Sequence, residues 1–441
     1  MESSMAFVDI PLQRTGDARR TTGGRLIRTM GLMTIALVAP SRAPAQNIDT
    51  LRLTDVVAMA RHANPALIAA RLRADAAAER IPQAGAWADP QLSFGLRNRP
   101  IDDFGTDQAM TMNTVQLTQR FPWPGTLGFA QERARQLADA SRLDAEEAEV
   151  ALIARARAVY YQLAFMDRAI DVMNRTRGLL RDFFQVSQAR YSVGEGLQQD
   201  VLQAQVAIAG MTENITVMEQ DRVAMAARLN ALLGRPATGP VGALELPSPD
   251  DSLPTAQALM DTAAERRPAL RAAAARARAA EAGYRAARRR LYPDVIVTLG
   301  YAERPQFDDF VSFMIGFSIP LWAGSRQLPL RREMRAMQAM EEARALDLYN
   351  ETFARLAELR AQAVRARNLS QLYATSILPQ ARAAVDAALS AYRVGRLEYT
   401  TLVQNEMTVN RYEIEVVRLA AEYQQAVAQI DALLGITPGG E

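Results

Sequence analysis

Four short stretches of the chain alternate between apolar residues and small or polar ones. In Pro90 to Asn98, Leu92, Phe94 and Leu96 point one way, and Gln91, Ser93, Gly95 and Arg97 the other. In Thr111 to Phe121, Val115, Leu117 and Phe121 oppose Thr114, Gln116, Thr118 and Arg120. Asp294 to Tyr301 sets Val295, Val297, Leu299 and Tyr301 against Asp294, Thr298 and Gly300. Val311 to Ile319 sets Val311, Phe313, Ile315, Phe317 and Ile319 against Ser312, Met314, Gly316 and Ser318. A period of two over about nine residues predicts strands of the length that crosses a bilayer when tilted. One apolar face and one small or polar face suit lipid on one side and water on the other. The polar, Pro-containing stretches Arg99 to Ala109 and Ala302 to Phe310 read as exposed hairpin loops.

Elsewhere the period is helical. Ala- and Arg-rich helices are predicted at Thr54 to Ala84 and Pro254 to Arg290. Thr54-Asp55 is expected to cap the first, and Asn64-Pro65 to break it. Very long helices follow the strands, at Thr126 to Tyr191 and Ser325 to Tyr392, with apolar residues such as Val150, Ile153, Val159 and Leu163 at helical spacing. Some 65 residues make a rod of about 100 Å, which means coiled coil or helical repeat. Gly-bearing turns at Val193 to Leu197 and Val394 to Leu397 fold each rod back as a hairpin. The returning helices, Gln198 to Leu233 and Tyr399 to Leu434, stop at Gly234 and Gly435.

The order of elements repeats. Tyr191-Ser192-Val193-Gly194 recurs as Tyr392-Arg393-Val394-Gly395, and Ala231-Leu232-Leu233-Gly234 as Ala432-Leu433-Leu434-Gly435. Pro65-Ala66-Leu67 recurs as Pro268-Ala269-Leu270, Pro90 as Pro293, and Gly125 as Gly324. The matches keep their order at a nearly constant offset, which marks an internal repeat. The division reads as a first repeat at 46–236, a linker at 237–253, a second repeat at 254–436 and a tail at 437–441, all preceded by a signal peptide at 1–45. Arg25 and Arg28, the apolar run Met30 to Ala39 and the small-residue site Ala43-Pro44-Ala45 before Gln46 carry the signal reading. The charged stretch before that run is long and leaves the start codon open.

Composition removes alternatives. There is no Cys, so disulfides, thiolate metal sites, Cys nucleophiles and a lipid-modified N-terminal Cys are excluded. The net charge of +2 gives no nucleic-acid signal. No catalytic constellation and no GxxxxGK[ST] nucleotide loop appears, so an enzyme is the least favoured class and any driving energy comes from elsewhere. No resident cofactor is expected. The single histidine, His62, and the thioethers of Met110 and Met112 are poor metal ligands here, and no metal site is assigned.

Each half contributes one strand hairpin, four strands in all. Four strands cannot close a barrel, and an open edge cannot face lipid. Several chains must pool their strands, and three would supply twelve. Aromatic residues at the strand ends, Phe121, Trp123, Tyr292 and Trp322, suit a membrane–water interface. The expected fold is α+β, mostly α: long antiparallel helical hairpins forming an α-barrel, with four strands per protomer given to a trimeric 12-stranded β-barrel. A periplasmic coiled-coil scaffold is the competing architecture.

Three stretches carry a resemblance to a known family. They are Asn64 to Arg71 leading to Asp89-Pro90-Gln91-Leu92; Ala189 to Gln205 around the first turn; and Leu229-Asn230-Ala231-Leu232-Leu233-Gly234-Arg235-Pro236. Together, and duplicated, they resemble TolC-type outer-membrane efflux proteins over residues 48–436. Gln119-Arg120-Phe121-Pro122-Trp123-Pro124-Gly125 is similar to the heavy-metal-cation (CzcC-like) branch. The resemblance implies a homotrimeric duct in outer-membrane lipid, extending into the periplasm. It implies a periplasmic adaptor and a proton-driven inner-membrane pump of the resistance-nodulation-division type as partners. A duct for type I protein secretion has the same architecture and stays open as an alternative. In such relatives, acidic residues past the second turn line a periplasmic aperture; here Thr401 and Gln404 stand at those positions. In the first half Asp200 keeps the acidic character, with Gln203 a turn later, and Glu195 and Glu398 lie beside the turns. These six residues are the aperture candidates. The turn residues Tyr191, Val193, Gly194 and Leu197, with Tyr392, Val394, Gly395 and Leu397, are the adaptor-docking candidates, and Gly194 and Gly395 are expected at positive φ.

Overall fold

The computed structural model describes residues 50–102, 104–250 and 253–437. Contacts divide the chain into Met1–Asn47 and Ile48–Glu441, and the helices and strands of the described residues all lie in the second unit. The signal peptide expected at 1–45 lies outside the described residues, as does the tail after Thr437. The first half runs α1 (Leu53–Ala63), α2 (Pro65–Ala78), α3 (Arg80–Gly85), β1 (Gln91–Arg97), β2 (Met112–Phe121), α4 (Thr126–Ser192) and α5 (Gln198–Leu232). The second runs α6 (Ala256–Arg266), α7 (Pro268–Arg289), β3 (Asp294–Glu303), β4 (Phe310–Ser318), α8 (Gln327–Leu372), a π-helical turn (Tyr373–Ile377), α9 (Leu378–Arg393) and α10 (Tyr399–Leu433).

Local chemistry explains where the helices break. Pro65 opens α2, and the Asn64 side chain accepts from the backbone N–H groups of Ala66 (3.0 Å) and Leu67 (3.2 Å). Asn64 also donates to the Leu232 carbonyl at 3.0 Å, pinning the break to the end of α5. The cap expected at Thr54 is not formed. Arg52 holds the N-cap position of α1 without a side-chain cap, and Thr54 falls inside the first turn. The helix expected to run unbroken from Ser325 to Tyr392 is also corrected. Pro379 lacks an N–H, and its ring crowds the carbonyl four residues back, at Thr375, so the chain widens into the π turn and resumes as α9. Its counterpart α4 has no interior proline and runs for 67 residues, about 100 Å, without interruption.

The four strands form one antiparallel sheet in chain order, β1-β2-β3-β4. The β2–β3 pairing joins the two halves, with Val115 opposite Tyr301 and Leu117 opposite Leu299. Register therefore stacks Phe94, Val115, Tyr301 and Val311 across one face, and Leu92, Leu117, Leu299 and Phe313 beside them. The other face carries Ser93, Gln116, Gly300 and Ser312. Helices adjoin in the same order as the strands they continue: α3 against α4, α4 against α7, and α7 against α8. Below them, α4, α5, α9 and α10 close on a core that includes Phe165, Met173, Leu180, Met211, Leu402 and Val409. Cross-half ion pairs add to it, among them Arg157–Asp431 at 2.7 Å and Arg267–Glu147 at 3.0 Å.

Candidate functional site

The site is built where the two helical hairpins turn. Gly194 (φ +78°) and Gly395 (φ +73°) both take the left-handed conformation that reverses the chain in a few residues. The two turns then meet through Tyr392, which has Tyr191 as its counterpart, and through Arg190 and Asp200, which have Ala391 and Thr401 as theirs. Arg190, at the end of α4, donates to the Tyr392 carbonyl and, at 3.0 Å, to the Glu195 carbonyl. Its guanidinium also lies over the Tyr392 ring, 4.9 Å from the centroid. The Tyr392 hydroxyl donates to Asp200 Oδ2 at 3.2 Å. Burial, followed by the Asp200 carboxylate, pushes the Tyr392 hydroxyl up to about 12, so it stays a proton donor at physiological pH. Tyr399 packs edge-on against Tyr392 with ring centroids 5.5 Å apart. Burial raises its pKa as well, and its hydroxyl has no hydrogen-bond partner among the described residues.

The sequence-predicted aperture residues separate into three groups. Asp200 is engaged with Tyr392. Gln203 and Gln404 line one cavity of about 560 Å³ between the starts of α5 and α10, together with Gln198, Leu202 and Tyr399. Thr401 is half-buried beside it. Glu195 and Glu398 are exposed; Glu195 joins the turn contacts through its backbone, and the Glu398 carboxylate accepts from Thr400 at 3.4 Å. Of the docking candidates, Tyr191, Val193, Gly194, Leu197, Val394 and Gly395 are exposed and Leu397 is half-buried. Tyr392, expected on that surface, is 1% exposed and faces inward, because Arg190, Asp200 and Tyr399 enclose it.

Two residues of this region are absent from the sequence-based candidates. In sequence Arg190 reads as an ordinary last-turn cation. Glu406 is buried on α10, where burial first, then Glu413 and Asp386, push its carboxyl up to about 7. Its signal in the sequence is that it interrupts the stripe Tyr399, Leu402, Val409 at helical spacing.

At the other end, the apolar sheet face is exposed among the described residues. Phe94 and Val311 are each 75% exposed, and Leu92, Leu96, Phe313 and Phe317 are exposed beside them. Among the described residues β1 and β4 each have one strand partner. At the sheet end nearest the long helices, Trp123 stacks on Tyr292 at 5.0 Å, and Phe121 meets Trp87 edge-on at 5.2 Å. Trp322 is 78% exposed there. Trp87 belongs with this group, and strand periodicity misses it because it precedes its strand. On the polar face Arg120 pairs with Asp294 at 2.6 Å, and Asp294 also accepts from the Trp123 N–H. Among the described residues no helix is long and apolar enough to cross a membrane, and no group of three or more His, Asp or Glu could hold a metal ion.

The model of the outer membrane efflux protein family matches residues 56–235 and again 259–436. The pyoverdine export outer membrane protein OpmQ of Pseudomonas putida is 23% identical over 415 residues, covering 87% of this chain and 85% of that protein. The solved channel CusC superposes with a TM-score of 0.76 at 16% identity, over 88% of this chain and 92% of that one. The outer membrane protein VceC of Vibrio cholerae gives 0.74 at 17% identity, over 87% and 96%. The outer-membrane channel OprN gives 0.74 at 20% identity, over 87% and 90%. The structural likenesses concern the fold.

Proposed function

The chain belongs to the outer membrane efflux protein family, whose members are transport ducts and not enzymes, and from that premise we propose that it is the exit duct of a tripartite efflux pump. The observation that carries the reading is the sheet: an uncovered apolar face backed by a polar one, with two free edges. Free edges are intolerable in hydrocarbon, so copies must pair β1 of one protomer with β4 of the next. Three copies close twelve strands, leave the apolar face toward lipid and line the lumen with residues such as Ser93, Gln116 and Ser312. Trp87, Phe121, Trp123, Tyr292 and Trp322 sit at the periplasmic-side interface of the outer membrane with water. The helices continue the tube through the periplasm, and the hairpin tips form its mouth.

In this duct cargo moves passively, and energy comes from a proton-driven inner-membrane pump joined through a periplasmic adaptor. The exposed turn residues Tyr191, Val193, Leu197 and Val394 are the docking surface. Tyr392, Asp200 and Arg190 hold the two hairpins together at rest, while Glu195 and Glu398, exposed at the tip, favour cations at the mouth. The Phe121-Pro122-Trp123-Pro124-Gly125 segment supports heavy-metal cations as cargo. The pyoverdine-export relative supports a larger exported molecule, and genomic neighbours separate these from protein secretion: a pump gene against a toxin and ABC gene.

The test is to purify the mature chain from outer membranes, size it and record currents in a planar bilayer. A conducting trimer is expected. A soluble, non-conducting monomer would return the chain to the coiled-coil scaffold. Asp200→Ala is expected to raise single-channel conductance and weaken cation preference; unchanged values of both would remove the latch role of Asp200.

A further inference from the structure

Where α10 packs against α4 and α9, it presents three polar rungs about a helical turn apart: Glu406, Asn410 and Glu413. Two are partnered. The Glu413 carboxylate joins α9 and α4 through Arg382 (2.5 Å) and Arg175 (3.7 Å). The Asn410 amide donates to Thr176 Oγ1 of α4 at 2.9 Å, a buried bond. Glu406 is 3% exposed and, among the described residues, makes neither a hydrogen bond nor an ion pair. It borders a cavity of about 300 Å³ whose walls include Leu179 and Phe183 of α4 and Val385 and Leu389 of α9. The charged groups facing it are Arg175 from α4, Arg382 and Asp386 from α9, and Glu413 from its own helix. Both arginines are already engaged with Glu413, and Asp386 repels a second negative charge.

A buried carboxylate without a partner is costly, whereas the neutral acid is not. Glu406 lies eight residues past Glu398, about 12 Å up α10 from the tip. The α9 arm of the same hairpin starts at the π turn, where the helix is already widened and bending is easiest. We infer that Glu406 is a proton-operated latch: protonated, it lets the α9–α10 hairpin seat against α4, and ionised, it drives the hairpin away and favours an open mouth. The inference rests on the duct reading for its functional meaning.

The sign follows from linkage. In the seated hairpin the Glu406 carboxyl is pushed up to about 7, against an ordinary value of 4.5 once exposed to water. Seating therefore takes up a proton between those values. The seated form is favoured in acid and loses about tenfold in equilibrium per pH unit as pH rises from about 4.5 to about 7, then levels off.

The experiment compares wild type with Glu406→Gln, a near-isosteric side chain that cannot ionise, as assembled full-length protein. Open probability in planar bilayers and backbone hydrogen exchange of α9–α10, corrected for intrinsic rates, are followed from pH 5 to 8. Wild-type opening and exchange are expected to rise up to about pH 7 and then flatten. Glu406→Gln is expected to stay low and flat throughout. Coincident pH profiles for the two proteins, or a flat wild type, would overturn the latch. Hydrogen exchange judges the hairpin without any current, so a protein that never conducts sinks the duct reading while the latch is still decided.

Discussion

Tyr191-Ser192-Val193-Gly194 and Tyr392-Arg393-Val394-Gly395 form the same kind of turn, yet the residues around them live in opposite environments. Tyr191 is 47% exposed and Tyr392 1%. The next repeat pair is Gln198, exposed, and Tyr399, buried; two turns further, Gln205 is exposed and Glu406 buried. The first hairpin presents its start to solvent or to partners. The second turns the matching positions inward onto α4 and α5. The two turns thus share a backbone conformation, and their side chains leave one exposed and the other buried. The inward copy carries tyrosines and a carboxylate whose ionisation is suppressed, and the outward copy carries glutamines.

The sharpest way to break this comparison is to truncate the tyrosines. Tyr392→Ala is expected to destabilise the assembled protein by about 3–5 kcal/mol, the range for deleting a buried aromatic ring. Tyr191→Ala should stay within about 0.5 kcal/mol. Denaturant unfolding of the two variants side by side measures the difference, and equal costs would mean that the assembled protein does not keep the asymmetry. Next come the glycines. Both have positive φ, so either change to alanine strains the turn by about 1 kcal/mol. A Cβ on Gly395 would also lie 3.0 Å from Arg190 Nη2, whereas one on Gly194 meets nothing within 4 Å. Gly395→Ala should therefore melt slightly lower than Gly194→Ala, because Arg190 Nη2, which donates to the Glu195 carbonyl, must shift by a few tenths of an ångström.

Smaller still is Tyr392→Phe, which keeps the ring and loses only the bond to Asp200. A cost of about 1 kcal/mol is expected, with a more frequently open channel in bilayer recordings. If opening is unchanged, the hydroxyl is a packing detail and the ring alone holds the hairpins. The smallest effect is predicted for Gln205→Glu, the mirror of the buried carboxylate. At that exposed position a charge should change stability by less than about 0.5 kcal/mol and add no step to a pH profile. A pH step in that variant would show that the first hairpin is also buried in the assembly.

Much of the fold was legible because backbone periodicity is a local property. Alternation over Gln91–Arg97, Met112–Phe121, Asp294–Glu303 and Phe310–Ser318 marked the strands within two residues at each end, and a hydrophobic helical repeat with glycine stops marked the hairpins. Misreadings occurred where a contact several residues away decides. Pro379 widens the helix one turn upstream of itself, and the N-cap of α1 is Arg52 and not Thr54. The candidate site was legible as a place but not as a network, since Arg190 and Tyr392 are more than 200 residues apart along the chain.

By itself the sequence determined the type and order of the elements and the two-faced character of the strands, because each follows from residue order over one or two turns. It also determined that this chemistry lacks thiols and a nucleotide loop. Only the tertiary structure decided that β2 pairs with β3, that Tyr392 rather than Tyr191 faces inward, and that Glu406 is left without a partner while Glu413 takes both arginines. Those outcomes depend on which surfaces exclude water when distant segments meet. Two repeats with the same local pattern can satisfy that condition in opposite ways.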